Sequence, residues 1–556
     1  MQKRILLVFA ISLAVSFLIA NRPAYRGFFT DDDLDNIANA RGVEFSYYLV
    51  ALIKPMISAD AVFRPVPDLY YYVLSRTAVL NFTPYVAVIQ CIHLLNVFLV
   101  WLLARALGAT RIGAGAASAL FAFHAAMLTI YWRPMYIFDL VSATFALLTL
   151  LAYLRGSLVS SVILFWLAMK CKEVVIFLPL VLLAYEWIFG KRRWVRVIPF
   201  LAISALFGIW ALVFNAHREN DYSLRFTFAA FWTCGQFYAS KLVLGPAWAG
   251  LAALAVAGVF AGNRLVRFGL VTFFALMLVL LFLPGRLYSA YLYTAFIGVA
   301  LAISAVTRPA ALLVFFALWI PWNYRQLRLD RRNELAAADE RRAWATPVAA
   351  FIRAHPEIDT FIYENRPETL APWGIAGTIK TMRPVDAATT IVDADSADRA
   401  ALARPHLALL DWNAPRKRVR IVQRGPDVAY ITLNDAAPLW QLGDGWIDPN
   451  PYFRWIAPHA TARLNCPADA RIFEVQTFAP EVYLNSVHQG RLTVAIGHET
   501  IGIVPLDNPD PKQYDFPASC SSNEVELEFD VTPALKDPGG SEKLYGAPII
   551  SFGFKP

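Results

Sequence analysis

Long apolar runs recur through the first 325 residues, at lengths that suit a hydrocarbon environment. Crossing a bilayer core of about 30 Å takes roughly 17–25 apolar residues in a helix. Eleven candidate spans come near that length: 5–21, 84–105, 112–131, 135–154, 157–170, 173–189, 195–215, 246–262, 266–283, 288–306 and 309–324. The fifth is short enough to be tilted or re-entrant. Lipid offers no partner to an unbonded N–H or C=O, so only helices and closed barrels can cross it. Composition agrees, with 58% hydrophobic and 17% charged residues, against roughly 45–50% and about 25% in soluble domains. The expectation is a polytopic α-helical membrane protein. Met1-Gln2-Lys3-Arg4 before an apolar core also fits a signal peptide, but no small-x-small site follows and the segment is read as a retained helix.

Short loops rich in Lys and Arg mark the cytoplasmic side. Lys3, Arg4, Arg105, Arg111, Arg155, the run Lys191-Arg192-Arg193, Arg196, Arg264, Arg267 and Arg308 fall on one side of the spans. The acidic cluster Asp31-Asp32-Asp33-Leu34-Asp35, segment 55–83, Arg133, Lys172, Glu173, the 216–245 loop and Arg286 then lie outside. Arg325, Arg328, Arg331 and Arg332 resist this scheme, since they follow the last span on the outer side. A net charge of +8 fits membrane topology and anionic lipid contact without calling for nucleic acid.

The chain changes character after residue 325. Residues 326–354 read as a charged, Ala-rich helix, and 355–440 mix short apolar runs with turn residues as a connecting region. From 441 to 556, alternating runs such as Leu492-Thr493-Val494-Ala495-Ile496 and Glu524-Val525-Glu526-Leu527-Glu528-Phe529 predict an extracytoplasmic β-sandwich. Cys466 and Cys520 are the two cysteines of that region, and an oxidising compartment permits a disulfide between them. Cys91, Cys171 and Cys234 read as buried thiols. No spacing matches a zinc site, a P-loop or a dinucleotide fingerprint.

Ionisable groups in or beside membrane spans are costly, and each is a functional candidate. Besides the acidic cluster these are Arg64 in Phe63-Arg64-Pro65, His93 and Asn96, His124, Arg133, Asp139, Lys172-Glu173, and Arg286 with Tyr288, Tyr291 and Tyr293. Each has a bland reading as well. The acidic cluster suits a solvated loop or a helix cap, His93 and Asn96 suit interhelical hydrogen bonding, and Asp139 suits a structural pair with Arg133. The tyrosines suit an interfacial belt.

The order of these motifs resembles that of GT-C fold membrane glycosyltransferases, most closely the branch with the tetratricopeptide-linked O-mannosyltransferases and their bacterial relatives. The resemblance spans the acidic loop to about residue 325. It rests on Asp32-Asp33 after the first helix, Arg64-Pro65, His93-x-x-Asn96, Phe-Ala-x-His ending at His124, Asp139 opening a helix, Lys172-Glu173 before Pro179, and Arg286 with Tyr288. The chain departs from that branch in lacking tetratricopeptide repeats and in carrying Cys171 before Lys-Glu.

The resemblance implies inverting transfer of a sugar from a polyprenyl-phosphate donor to an acceptor outside a bacterial cytoplasmic membrane. The acceptor would be a cell-envelope glycan such as lipopolysaccharide or O-antigen, a lipid, or, less in keeping with the missing repeats, a protein. Such a displacement needs a base for the acceptor hydroxyl and cations for the leaving phosphate. Asp32 or Asp33 is the expected base, and Arg286, Lys172, Arg64, Tyr288 and Arg133 are the expected phosphate ligands. Glu173 is expected to orient Lys172 or meet the acceptor, with His93, Asn96, His124 and Asp139 in support. Paired carboxylates also suit Mg²⁺ or Mn²⁺, which leaves the metal question open. The β domain would bind or position a glycan. Two other classes fit the same residues: a transporter or flippase of lipid-linked sugars, and a non-catalytic glycan-assembly protein.

Overall fold

A computed structural model describes residues 2–54, 64–215, 221–397, 399–433, 437–487, 489–520, 522–537 and 539–556. Parts of two expected outer loops, residues 55–63 and 216–220, lie outside the described residues. The chain divides into two units, one of residues 1–342 with 373–381 and the other of 343–372 with 382–556.

The first unit is helical. Three of its helical segments are long and apolar enough to cross a membrane, Val8–Arg26, Phe82–Ala106 and Pro134–Leu154, with up to five spans if each of two bent pairs counts as one. Shorter apolar helices cover Leu158–Met169, Trp194–Trp210 and Ser289–Ile303. The eleven apolar runs contain helices, but several are cut short. The 112–131 run breaks at His124 with a bend of 66°, and the 173–189 run opens as a 3-10 turn, Glu173–Val175, before its helix begins at Leu178.

The break at His124 is a built feature. Asn323 accepts from the Ala125 N–H and donates to the Phe123 carbonyl, each at 2.8 Å, while His124 Nε2 reaches the Leu242 carbonyl at 3.0 Å. One amide thus satisfies backbone groups that the break would orphan. A second bent pair, Phe228–Val243 with Ala247–Val259, places a helix where the 216–245 loop was expected. Thr233, Gly235, Gln236, Ser240 and Lys241 interrupt its apolar pattern, which hides it from a run-length reading.

Helices Arg264–Met277 and Leu292–Ile303 cross backbone to backbone. A Cβ on Gly298 would stand 2.3 Å from the Gly269 carbonyl oxygen, so only glycine permits the approach. This crossing frames the loop that carries Arg286. The expected last span and the charged helix behind it form one helix, Pro309–Ala354, of 46 residues and about 70 Å at 1.5 Å per residue. Arg331 on it donates to Asn21 Oδ1 at 3.2 Å, and Glu334 holds Arg133. The basic residues that resisted the charge rule therefore sit at the same end as Arg133.

The second unit is rich in β-structure. Strands Thr360–Glu364, Thr390–Asp393, Leu407–Asn413 and Arg418–Gln423 form one sheet, with Thr360–Glu364 parallel to both the second and the third strand. Two larger sheets, of four and six strands, share one hydrophobic core. Trp446 stacks on Phe552 at 5.3 Å and meets Phe529 edge-on at 5.6 Å, joining the facing sheets. A disulfide joins Cys466 to Cys520, with Cα atoms 6.2 Å apart.

Candidate active site

The acidic cluster is the first turn of a helix, Asp31–Gly42, and that position gives adjacent aspartates different work. Thr30 caps the helix and Asp33 closes a capping box, the reciprocal arrangement that satisfies two orphan donors. Asp33 Oδ2 accepts from the Thr30 N–H at 2.8 Å and its hydroxyl at 2.7 Å, and Oδ1 accepts from Tyr71 at 2.9 Å. The side chain is fully buried. Burial pushes its pKa up to about 6, against the lowering effect of the three hydrogen bonds, and Asp32 raises it a little further.

Asp32, one residue earlier, points off the buried face. Its Oδ1 accepts from the Trp373 indole N–H at 3.2 Å. Trp373 belongs to helix Pro372–Met382, whose residues 373–381 are part of the helical unit. Gly377 lets that helix lie on the acidic one, since a Cβ there would be 2.5 Å from the Leu34 carbonyl carbon. At the other end Arg76 donates to the carbonyls of Ala40 and Arg41, at 2.9 and 3.0 Å, and caps the C-terminus.

The basic candidates fall into two groups. Arg64, Lys172 and Arg133 each have a carboxylate partner. Arg64 donates to Glu173 at 2.9 Å, Lys172 holds both oxygens of Asp139 at 2.7 and 2.8 Å, and Arg133 Nε meets Glu334 at 2.8 Å. Two expectations are corrected here. Glu173 pairs with Arg64 rather than Lys172, because the 3-10 turn after Lys172 turns the two side chains to different neighbours. Asp139 pairs with Lys172 rather than Arg133, whose guanidinium goes instead to the long helix.

Arg286 is different. Among the described residues it forms no ion pair with a carboxylate, and its Nε has no hydrogen-bond partner. Tyrosines hold it: its guanidinium lies 4.2 Å from the Tyr222 ring centre and 5.0 Å from that of Tyr288, and it donates to the Tyr291 hydroxyl at 3.4 Å. Such stacking fixes a cation while leaving its charge uncompensated. The Tyr291 ring also sits 4.6 Å from Lys172 Nζ, linking the two cationic groups. Tyr222 follows Asp221, whose backbone packs on Gly285, and it lies within electrostatic reach of Arg286 and Arg64. Stacked on Arg286, Tyr222 is also within electrostatic reach of Asp32 on the acidic helix.

His93 and Asn96 are placed elsewhere, inside the bundle. His93 Nε2 lies 3.2 Å from the Ala122 carbonyl, which requires a proton there, so Nδ1 accepts from the Tyr293 hydroxyl at 2.9 Å. Asn96 donates to the Leu140 carbonyl at 2.9 Å and accepts from Thr144 at 2.7 Å. His124 serves the helix break. These three act as interhelical hydrogen-bond groups.

Tyr71, Tyr222, Trp373, Glu334 and Arg341 complete the surroundings and were not singled out in sequence. Arg341 is only 6% exposed on the long helix, and its Nε has no hydrogen-bond partner. Its neighbours are visible in sequence only as charges on an Ala-rich helix, which ordinarily means a solvated face. Among the described residues no three His, Cys, Asp or Glu side chains converge in a way that could hold a metal ion.

No family model and no curated protein matches the chain. It is similar in structure to an arabinofuranosyltransferase, AftD from Mycobacteria, known from single-particle cryo-EM, with 12% identity and a TM-score of 0.42. The similarity covers 100% of this chain and 58% of that one, so the chain spans little more than half its length.

Proposed function

We propose that this protein is an integral membrane glycosyltransferase that passes a sugar from a polyprenyl-phosphate donor to an acceptor hydroxyl, with inversion. The observation that carries the reading is Arg286, a cation clasped by three tyrosines and, among the described residues, without a carboxylate partner. A phosphate leaving group supplies the missing negative charge. The motif order that resembles GT-C transferases of the O-mannosyltransferase-like branch points the same way.

In this reading Asp32 is the base. It takes the acceptor hydroxyl proton as the acceptor oxygen bonds to the anomeric carbon, and the anomeric carbon's bond to the donor phosphate breaks on the opposite face. The electron pair leaves with polyprenyl phosphate, whose oxygens Arg286 stabilises. Tyr288 and Tyr222 hold the guanidinium in position, and Lys172, paired with Asp139, packs behind Tyr291. Asp33 keeps the first turn of the acidic helix in place, and Arg64–Glu173 and Arg133–Glu334 brace the floor. These steps use only this chain's own side chains.

The membrane is the bacterial inner membrane, crossed many times, with the site and the β-rich unit on the outer side. The Cys466–Cys520 disulfide supports that side, since such bonds persist in oxidising compartments. The acceptor is a cell-envelope glycan or lipid, and the β-rich unit handles glycan. The test is transfer from a polyprenyl-phosphate sugar by purified protein in nanodiscs. Asp32→Asn should lower the rate by about 10²–10⁴-fold and Arg286→Ala by about 10²–10³-fold. Full rates in both variants would defeat the proposal, and translocation without transfer would replace it with a flippase.

A further inference from the structure

The sheet at the start of the β-rich unit has the strand order Thr390–Asp393, Thr360–Glu364, Leu407–Asn413, Arg418–Gln423. From the Thr360–Glu364 strand the chain goes first to one side and then returns to the other, and all three of these strands run parallel. The gap between Thr360–Glu364 and Leu407–Asn413 is therefore a topological switch point. Ligands of open α/β sheets bind in the crevice beyond the carboxyl ends of strands at such points. Here that crevice is a cavity of about 250 Å³.

Its polar wall comes from the two strand ends. Glu364 and Asp411 are register partners, and Asn365, held in the left-handed region at φ 53°, donates to Asp411 Oδ1 at 3.1 Å. Asn413 ends the second strand beside them. Across the cavity stand Asn450 and Arg454. Arg454 is 7% exposed, pairs with Glu364 at 2.5 Å, and its Nε–H has no hydrogen-bond partner among the described residues. A buried N–H of that kind costs about 1–3 kcal/mol unless something accepts from it. The remaining wall is apolar, with Leu409, Val422 and the Phe453 ring.

Two carboxylates against one guanidinium make the cavity negative, which disfavours a phosphate or carboxylate ligand. The planar amide and acid groups, with donors and acceptors interleaved, match vicinal hydroxyls, and the apolar wall matches the C–H face of a ring. The volume is just below the usual range of ligand pockets, about 300–1,000 Å³, and suits a ligand as small as one sugar ring. We infer that this cleft binds a neutral saccharide, with Asp411, Asn365 and Asn413 taking its hydroxyls and Arg454 Nε–H donating to a ring or hydroxyl oxygen. The inference rests on the glycan-handling reading for its ligand class, and its binding is measured apart from transfer.

The experiment is saturation-transfer NMR on the full chain in nanodiscs, with methyl α-D-mannopyranoside, methyl β-D-galactopyranoside and methyl α-D-arabinofuranoside as probes. At least one glycoside should give signal, and Asp411→Ala should reduce it at least tenfold. Ala414→Trp, at an exposed turn residue lining the cleft, should do the same by filling it while leaving the fold intact. Asp32→Asn should leave the signal unchanged, so that lost transfer with retained binding separates the two sites. The inference is overturned by silence from all three glycosides in wild type, or by signal that survives both cleft variants. It is equally overturned by signal lost in Asp32→Asn, or by displacement of the glycoside by inorganic phosphate.

Discussion

Adjacent aspartates at the start of one helix should fail in different ways when changed. Asp33 receives three hydrogen bonds of 2.7–2.9 Å in a fully buried position. Asp33→Ala would leave the Thr30 and Tyr71 donors unmatched, at about 1–3 kcal/mol for each buried group, and remove a cap worth about 0.5–2 kcal/mol. These terms overlap, and a net loss of about 3–5 kcal/mol is expected. A domain of 150–250 residues loses about 2–4 °C per kcal/mol and a larger one less, so Tm should fall on the order of 5 °C or more. Asp33→Asn keeps the shape and one carbonyl oxygen, and Tyr71 can turn its hydroxyl to accept from the amide. It should keep transfer within about tenfold of wild type. Among the described residues the Asp32 side chain accepts from one donor, an exposed tryptophan, so Asp32→Asn should leave Tm nearly unchanged while transfer falls about 10²–10⁴-fold. Differential scanning fluorimetry beside a transfer assay reads both quantities. Abolished transfer in Asp33→Asn at unchanged Tm, with Asp32→Asn active, would refute the division of labour.

Four further outcomes follow from the same geometry. Asp33 is held at about 6 in the folded state against 3.8 ordinarily, so the folded chain keeps this proton longer; its contribution to stability is fullest below about pH 4, falls by about 3 kcal/mol as pH rises to about 6, and is flat above. Asp33→Asn should flatten that slope in a pH series of melting curves. Arg286→Lys keeps the charge but loses the planar fork, and should lower transfer roughly tenfold or more where Arg286→Ala lowers it about 10²–10³-fold. Asn323→Leu strips the partners from Ala125 N–H and Phe123 C=O and should cost about 2–5 kcal/mol by thermal denaturation. Replacing Cys466 and Cys520 by Ala opens a loop with a sequence separation of 54, and loop entropy predicts a loss of about 4 kcal/mol in the β-rich unit, seen as earlier proteolysis of that unit.

Much of the candidate site was legible as residue types, because a charge beside a membrane span must have a reason to be there. Arg286, Lys172, Glu173 and Arg64 stood out on that ground, as did Asp32 and Asp33. Their pairing was not legible. Glu173 is adjacent to Lys172 in sequence, yet a 3-10 turn and a partner 109 residues away decide that it serves Arg64. Tyr222 and Trp373 carried no signal, since lone aromatics in loops or helix starts are common and only their neighbours make them supports for Arg286 and Asp32. The helix at Phe228–Val243 was missed because polar residues interrupt its apolar run, and tertiary packing overrides run length there.

By itself the sequence determined the solvent this chain folds in and where the membrane part gives way to β-structure, because apolar run length and two-residue alternation are local and follow directly from bilayer thickness and strand pleat. It also set which residues could carry charge chemistry. Tertiary structure alone decided that Tyr71 holds Asp33 while Asp32 meets the Trp373 indole, and that among the described residues Arg286 has no carboxylate partner while Arg64, Lys172 and Arg133 are paired. It also brought Glu364 and Asp411 together at a strand switch point. Each of those outcomes depends on groups tens to hundreds of residues apart meeting at about 3–5 Å, a distance that no local pattern encodes.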